Sequence, residues 1–335
     1  MLLREWQRAQ EGGRLRASSS QSVKEYLDGW LANVRHSLKP RTLEAYGLCV
    51  RRITPRIGKV PLDQLRGAHV QQCYSDLLNP GLARRTVEQT HAVLHRALAQ
   101  AVMLDLCTRN ATEAAEVPRP ERKEMKTLTG EELIQLFESS RDDRWYALWV
   151  LLGSTGLRRG EAMGLKWSDV DLEERRLVVR RSLQRIPGEG LQLVPPKTEA
   201  GRRTVALTEE ACEALREHRR RQRVRRVSPG PQWRGEDLVF CSAFGARLDP
   251  SRINPELNKA LAKAGLERVR VHDLRHTFAT LMLKQREHPR VVQEMLGHSS
   301  IMLTLDTHSH VSESMQRDAA DRLDEAFKSA RRGAV

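Results

Sequence analysis

No apolar run in this chain approaches the roughly 20 residues needed to cross a bilayer, and no signal-peptide core follows Met1. A membrane span or an export leader is therefore not expected. Cysteine is scarce: five residues, at 49, 73, 107, 212 and 241, form no CxxC and are odd in number. This argues against a disulfide framework or a zinc ribbon and suits a reducing cytoplasm, the compartment expected for the protein. No glycine-rich stretch ends in Gly-Lys-Ser/Thr and none reads GxGxxG, so neither a P-loop nor a dinucleotide fold is indicated. No internal repeat of about 20–50 residues is found.

Positive charge is abundant. The 335 residues hold 57 Lys+Arg against 43 Asp+Glu, a net charge of +14 and a pI near 10.0. Residues 1–120 contain 18 basic and 11 acidic side chains, and the remainder 39 and 32, so each part carries +7. A chain positive in both parts, rather than in one tail, suggests two surfaces facing the same polyanion, and nucleic acid is the expected partner. Hydrophobic content of 39% with 30% charged residues fits a globular protein, and the length fits two domains.

The hydrophobic pattern is mostly helical. Residues 1–20 are polar and read as a lead-in segment with a flexible joint. Val23, Tyr26, Leu27, Trp30, Leu31 and Val34 then keep a helical period. Pro40 opens a second helix, Val70 to Leu78 make a third, and Val87 to Val102 a fourth. Residues 21–107 thus read as a small all-helical domain, and residues 108–126, charged and proline-containing, as a linker. A second domain, 127–335, starts with the capping-box pattern Thr129/Glu132, and a helix through Trp145 and Leu152 is expected to stop at Gly153. Leu177–Leu183 and Leu191–Val194 flank a Pro-Gly-Glu-Gly turn, a hairpin signal, and Thr204–Leu207 reads as a third strand. Helices resume after Thr208, with one brief strand near Leu238–Phe240. The expected fold class is mainly α with a small antiparallel β-sheet.

Three segments hold residues suited to chemistry. TGLRRGE at 155–161 places Arg158 and Glu161 at a glycine-bounded turn entering a helix, where helix N-termini bind anions. HDLRHTFAT at 272–280 places His272 and Arg275 three apart, on one helical face. The HxxxH of His272 and His276 resembles a zinc pair, but Asp273 stands where a zinc protease has glutamate, and Arg275 adds positive charge. A His/Arg pair suits a phosphodiester better. LGHSSI at 296–301 puts His298 just past a glycine C-cap, followed by TLDTHSHV at 304–311.

In this order, with Lys197 in a Pro-Lys-Thr after the hairpin and LKPRTLEAY at 38–46, the segments resemble the tyrosine recombinase (phage integrase) family over nearly the whole chain. The resemblance implies an all-helical core-binding domain and a catalytic domain, closing as a clamp on duplex DNA. It implies that Arg158 and Arg275 are the two catalytic arginines, with Glu161 supporting the first. Lys197 matches the hairpin lysine, and His272 and His298 match the remaining positions. Two arginines would stabilise charge on the nonbridging oxygens without a metal, and Lys197 would protonate the departing 5′ oxygen. His272 would handle the nucleophile's proton, and a covalent 3′-phosphotyrosine would store the bond energy, so no cofactor is called for.

The chain departs from the family at the nucleophile. The family pattern is T-L-D-T-Y-S-H, and here His308 occupies the tyrosine position. Tyr26, Tyr46, Tyr74 and Tyr146, the four tyrosines present, all precede Arg158. A ring nitrogen reaches less far than a phenolic oxygen, and an error of about 1 Å can cost on the order of a hundredfold. The expectation is a cleavage-deficient chain, an inactivating change that traps a DNA complex. A degenerate natural copy and true histidine chemistry are the other accounts. Residues 1–20 are also too short for more than the last helix of the arm-binding domain many long relatives carry. A homo-tetramer on two duplexes is implied, exchanging a C-terminal helix, Ser312–Ala330, whose Met315, Ala319, Leu323 and Phe327 recur every four residues. The basic run Arg216–Arg226 reads equally as a phosphate track or as a solvated helix tail. The competing function is a non-catalytic DNA-binding protein on a recombinase scaffold, with a metalloenzyme third.

Overall fold

The computed structural model describes residues 21–119, 125–196, 199–227, 233–297 and, in part, helical residues between 317 and 328. The lead-in segment, Lys197, His298, His308 and most of the C-terminal helix lie outside the described residues. Two compact units emerge, Met1–Lys123 with Ile186–Gly188, and Glu124–Arg185 with Glu189–Val335. The chain is mainly α with small antiparallel sheets, and among the described residues no helix is long and apolar enough to cross a membrane.

The first unit is helical. Helix α1 (Val23–Val34) starts at a capping box in which Glu25 N–H donates to Ser22 Oγ and Ser22 N–H to Glu25 Oε2. Its buried Val23, Tyr26, Leu27, Trp30 and Val34 form one stripe. Tyr26 Oη donates to the Ala97 carbonyl (2.6 Å) and Trp30 Nε1 to Gln100 Oε1 (2.9 Å), fixing α1 on α4 (Arg84–Met103). Between them run α2 (Pro40–Ile57), opened by its proline, and α3 (Gly67–Leu78).

The segment expected as a linker is not bare chain from its start. Asn110 caps a 3-10 turn, Ala111–Ala114, and both Ala111 and Thr112 are buried. Asn110 Nδ2 donates to the His95 carbonyl (3.0 Å), and His95 Nδ1 lies 2.8 Å from Thr112 Oγ1. These bonds join residues 15 and 17 positions apart, and no periodicity announces them.

In the second unit α5 (Gly130–Ser139) begins at the Thr129/Glu132 capping box, as the sequence indicates. Helix α6 (Tyr146–Thr155) runs past Gly153 and ends at Gly156. Gly153 is a packing glycine: a Cβ there would lie 2.9 Å from Leu133 Cδ1 and from Phe137 Cζ. After the short α7 (Arg159–Met163), β1 (Val170–Asp171), β2 (Arg176–Val179) and β5 (Arg203–Ala206) form an antiparallel sheet in the order β1-β2-β5, with Leu177 opposite Val205. β3 (Ser182–Ile186) and β4 (Gly190–Val194) pair separately. The run Leu177–Leu183 is therefore not one strand; it breaks at Arg180 and Arg181, which pair with buried Asp169. Near Leu238 there is only an isolated bridge to Lys166.

Helix α8 (Glu209–Val227) holds the basic run, and much of that charge is used within the unit. Arg216 pairs with Glu209, Arg220 and Arg221 with Glu217, and Arg219 stacks over Trp167 at 5.0 Å. Helices α9 (Ile253–Lys263), α10 (Val271–Lys284) and α11 (Pro289–Leu296) complete the unit. Leu148, Leu151, Leu177, Val205, Leu215, Leu257 and Leu274 sit in its main core, and Phe278, Val292 and Leu296 in a smaller cluster.

Candidate active site

The site assembles where α6 ends, α7 and α10 begin, and α11 ends. Helix α6 closes on Gly156 in the left-handed region (φ 61°), which turns the chain so that Arg158 becomes the N-cap of α7. Glu161, three residues on, reaches back: Arg158 N–H donates to its Oε2 (2.9 Å) and Arg158 Nη1 to its Oε1 (2.8 Å). A glutamate at this place in a first turn also complements the helix dipole. Glu161 is 5% exposed, whereas the Arg158 side chain is 42% exposed. Arg158 Nη2 continues to the carbonyl of Gly297 (3.2 Å).

Helix α10 starts at Arg270, whose N–H donates to Asp273 Oδ2 (2.7 Å) and whose guanidinium pairs with the same buried carboxylate. Burial alone would raise the Asp273 carboxyl; the Arg270 hydrogen bonds outweigh it and hold it below its ordinary value. Asp273 is thus a helix cap, which is why it stands where the zinc pattern has glutamate. Among the described residues no group of three or more His, Cys, Asp or Glu is placed to hold a metal ion.

Arg275, one turn into α10, is 3% exposed. Its Nη1 donates to the Gly156 carbonyl (2.8 Å) and its Nη2 to the Leu296 carbonyl (2.7 Å). Burial, reinforced by the charge of Arg158, lowers its pKa to about 9. His272 lies at the exposed start of the helix, its ring edge-on to that of His276 at 4.7 Å. Partial desolvation of the ring by the surrounding chain, and then the charge of Arg275, lower the His272 pKa and favour the neutral imidazole. Burial carries His276 further, to about 4.

Of the residues singled out in the sequence, Arg158, Glu161, His272 and Arg275 thus come from separate segments to one end of this unit. Lys197, His298 and His308 lie outside the described residues. One participant was missed. Arg203 on β5 forms a fork with Glu161 (Nη2 to Oε2 2.9 Å, Nη1 to Oε1 3.3 Å) and donates from Nε to the Met295 carbonyl (2.6 Å). Burial would raise the Glu161 carboxyl, but Arg203 and then Arg158 outweigh it and keep it below the ordinary range. A sequence signal existed: Arg203 is two residues from fully buried Val205 and shares its strand face, where a charge implies a buried partner. Chemically, the arrangement offers fixed cations and a neutral imidazole, donors and an acceptor suited to an anionic oxygen and a proton in transit.

The model of the phage integrase family matches residues 126–315, and that of the phage integrase N-terminal SAM-like domain matches residues 22–78. A tyrosine recombinase XerC-like protein of Caldanaerobacter subterraneus subsp. tengcongensis is 29% identical over 90% of this chain and 83% of its own. The integrase of Mycobacterium phage L5 is 25% identical over 97% and 85%. Among solved structures, the Tn1549 transposon integrase in complex with a circular intermediate DNA superposes with a TM-score of 0.77 at 21% identity, covering 91% of this chain and all of that one. A lambda integrase dimer bound to a core site gives 0.65 at 17% identity, over 88% and 97%. With more than half its length matched by the family model, this chain belongs to the phage integrase family, the tyrosine recombinases.

Proposed function

We propose that the protein is a site-specific recombinase that grips duplex DNA as a clamp of its two domains, residues 21–107 and 127–335, and whose catalytic machinery is complete except for the nucleophile. The observation that carries this reading is the pair of arginines held at one helix end: Arg158 oriented by Glu161 and by the Gly297 carbonyl, Arg275 by the Gly156 and Leu296 carbonyls. Burying a guanidinium as deeply as Arg275 is costly for folding alone, and a developing phosphorane charge gives it a purpose.

In the reaction, a hydroxyl at position 308 attacks the phosphorus and passes its proton to neutral His272. The 5′ oxygen leaves with a proton from Lys197, and the strand remains joined to the protein by a 3′ phosphodiester. Arg158, Arg275 and His298 stabilise the nonbridging oxygens. Attack by a partner strand's 5′ hydroxyl reverses these steps and releases the protein. His308 lacks the phenolic oxygen, so the chain as it stands binds its site without cleaving it. Four subunits would act on two duplexes by exchanging the C-terminal helix, and the exposure of Leu323 and Phe327 supports a stripe that seeks a partner. We infer that it acts in the cytoplasm, on the nucleoid when DNA-bound, a reading supported by its five cysteines, which form no disulfide among the described residues.

The test is His308→Tyr on a nicked suicide substrate. Covalent adduct through residue 308 is expected from this variant and not from the unaltered chain, and adding Arg158→Ala should cut its rate by about 10²–10³. Adduct mapped to His308 in the unaltered chain would establish histidine chemistry instead. No adduct from His308→Tyr on the bound site would favour the second reading, a non-catalytic DNA-binding protein, which His308 itself motivates.

A further inference from the structure

We propose that Arg203 is a positioning residue of this site: it holds Glu161 against Arg158 and fixes the backbone that leads into residue 298. The proposal rests on the reading of the site given above, but its geometry stands by itself. The Arg203 side chain is 7% exposed, so it does not offer its donors to DNA. All three of its nitrogens are engaged. Nη1 and Nη2 take one oxygen each of the Glu161 carboxylate, and Nε takes the Met295 carbonyl.

Glu161 is consequently fixed from both sides. Its Oε1 accepts from Arg158 Nη1 (2.8 Å) and Arg203 Nη1 (3.3 Å), and its Oε2 from Arg203 Nη2 and the Arg158 backbone N–H, both 2.9 Å. The carboxylate cannot rotate without breaking bonds to both arginines. A planar fork makes this grip possible; a lysine supplies one point donor and cannot span both oxygens and the Met295 carbonyl together.

The second grip concerns α11. The last carbonyls of a helix have no partner within it, and cations at that end are favoured by the dipole. Here three consecutive carbonyls, of Met295, Leu296 and Gly297, accept from Arg203, Arg275 and Arg158 in turn. Gly297 takes the left-handed turn (φ 63°), and a Cβ there would lie 2.9 Å from Arg203 Nη1. The helix end and the three guanidinium groups therefore form one body, in which Arg203 alone touches both Glu161 and the helix without facing solvent.

The test reads the position of Arg158 without requiring catalysis. In the unaltered chain, partly exposed Arg158 is labelled with phenylglyoxal and its rate resolved by peptide mass spectrometry, with exposed Arg185, which pairs with Asp249, as internal reference. Arg203→Met should speed Arg158 labelling severalfold and leave Arg185 unchanged, and Arg203→Lys should give a smaller rise. Arg203→Met combined with Glu161→Gln should label no faster than the faster single variant, because both break one chain of bonds. Arg158 labelling unchanged in both Arg203 variants would overturn the proposal. A uniform rise at every arginine in Arg203→Met means that it has not folded, and Arg203→Lys then decides; the same uniform rise there assigns Arg203 to stability alone and overturns the proposal. A second measurement uses the His308→Tyr background. Arg203→Met should lower the adduct rate at saturating DNA by about 10²-fold, the loss of a misplaced donor, with half-saturation unchanged. An unchanged adduct rate would also overturn the proposal. No adduct from His308→Tyr itself, with labelling as expected, would refute the recombination reading and leave the positioning role standing.

Discussion

Gly156 offers a sharp test of how the site is built, because two physical costs meet there and one control separates them. Gly156 and Gly265 both lie in the left-handed region, at φ 61° and 70°. Around Gly265 nothing lies within 4 Å of an added Cβ, whereas at Gly156 the Cβ would sit 2.5 Å from Phe278 Cδ1 and 2.6 Å from Leu296 Cδ2. Gly265→Ala therefore incurs backbone strain alone, about 1–2 kcal/mol. Gly156→Ala adds over-packing against two buried side chains, about 1–3 kcal/mol more, so its total is about 2–5 kcal/mol. The collision also pushes on the loop whose carbonyl accepts from Arg275 and on the helix end that accepts from all three arginines. Urea unfolding followed by tryptophan emission, to which Trp145, Trp149, Trp167 and Trp233 of the second unit contribute, gives both losses directly from the midpoints if the slopes are unchanged. Equal losses in the two variants would refute the reasoning, since the crowding would then be absorbed without cost.

Two further outcomes follow from charge. His218 is buried, with Nε2 2.8 Å from the Val239 carbonyl, and burial pushes its pKa down to about 4. Its folded pKa lies below its unfolded one, so the stability it contributes is complete above pH ~6.5 and is lost as pH falls toward about 4, roughly 3 kcal/mol in all. His218→Gln should flatten that part of a stability-against-pH curve; a flat curve in the unaltered chain would contradict it. The carboxyl of Glu161, held low, contributes stability that is present above its ordinary value near 4.5 and lost as pH falls through its depressed one, a limb that Glu161→Gln should remove. DNA affinity should fall steeply between about 50 and 200 mM salt, with log affinity linear in log salt, as release of several counterions requires. An affinity indifferent to salt would sink the clamp.

Much of the architecture was legible because it is local. The Thr129/Glu132 cap is written within four residues, and the helical stripes of α1 and α3 within two or three turns. The motifs also single out Arg158, Glu161, His272 and Arg275, which the fold brings to one end of the second unit. What escaped depends on contacts far along the chain. Gly153 reads locally as a helix stop, but its smallness serves the approach of α5, which no local pattern reveals. Asn110 and Thr112 resemble linker residues until His95, fifteen positions earlier, is found beside them. Arg203 sits in a run of two arginines, and only the strand's alternation separates it from Arg202; its partner Glu161 lies 42 positions upstream. The broken Leu177–Leu183 strand has the same origin, since Arg180 and Arg181 turn toward Asp169.

The burial of Arg275 has an evolutionary consequence. A displacement from 12.5 to about 9 means that its surroundings oppose its charge by roughly 5 kcal/mol relative to water. Its two hydrogen bonds go to neutral carbonyls, so the opposing charge it needs is not supplied by the residues it touches. A neutral residue of the same shape would suit the burial, but it would leave the Gly156 and Leu296 carbonyls without donors. Truncation would add a cavity to those two orphaned carbonyls, so folding, like activity, comes to depend on the cation once it is in place. Position 275 is consequently held from two sides, and a gene copy released from function would still meet a folding penalty on losing it.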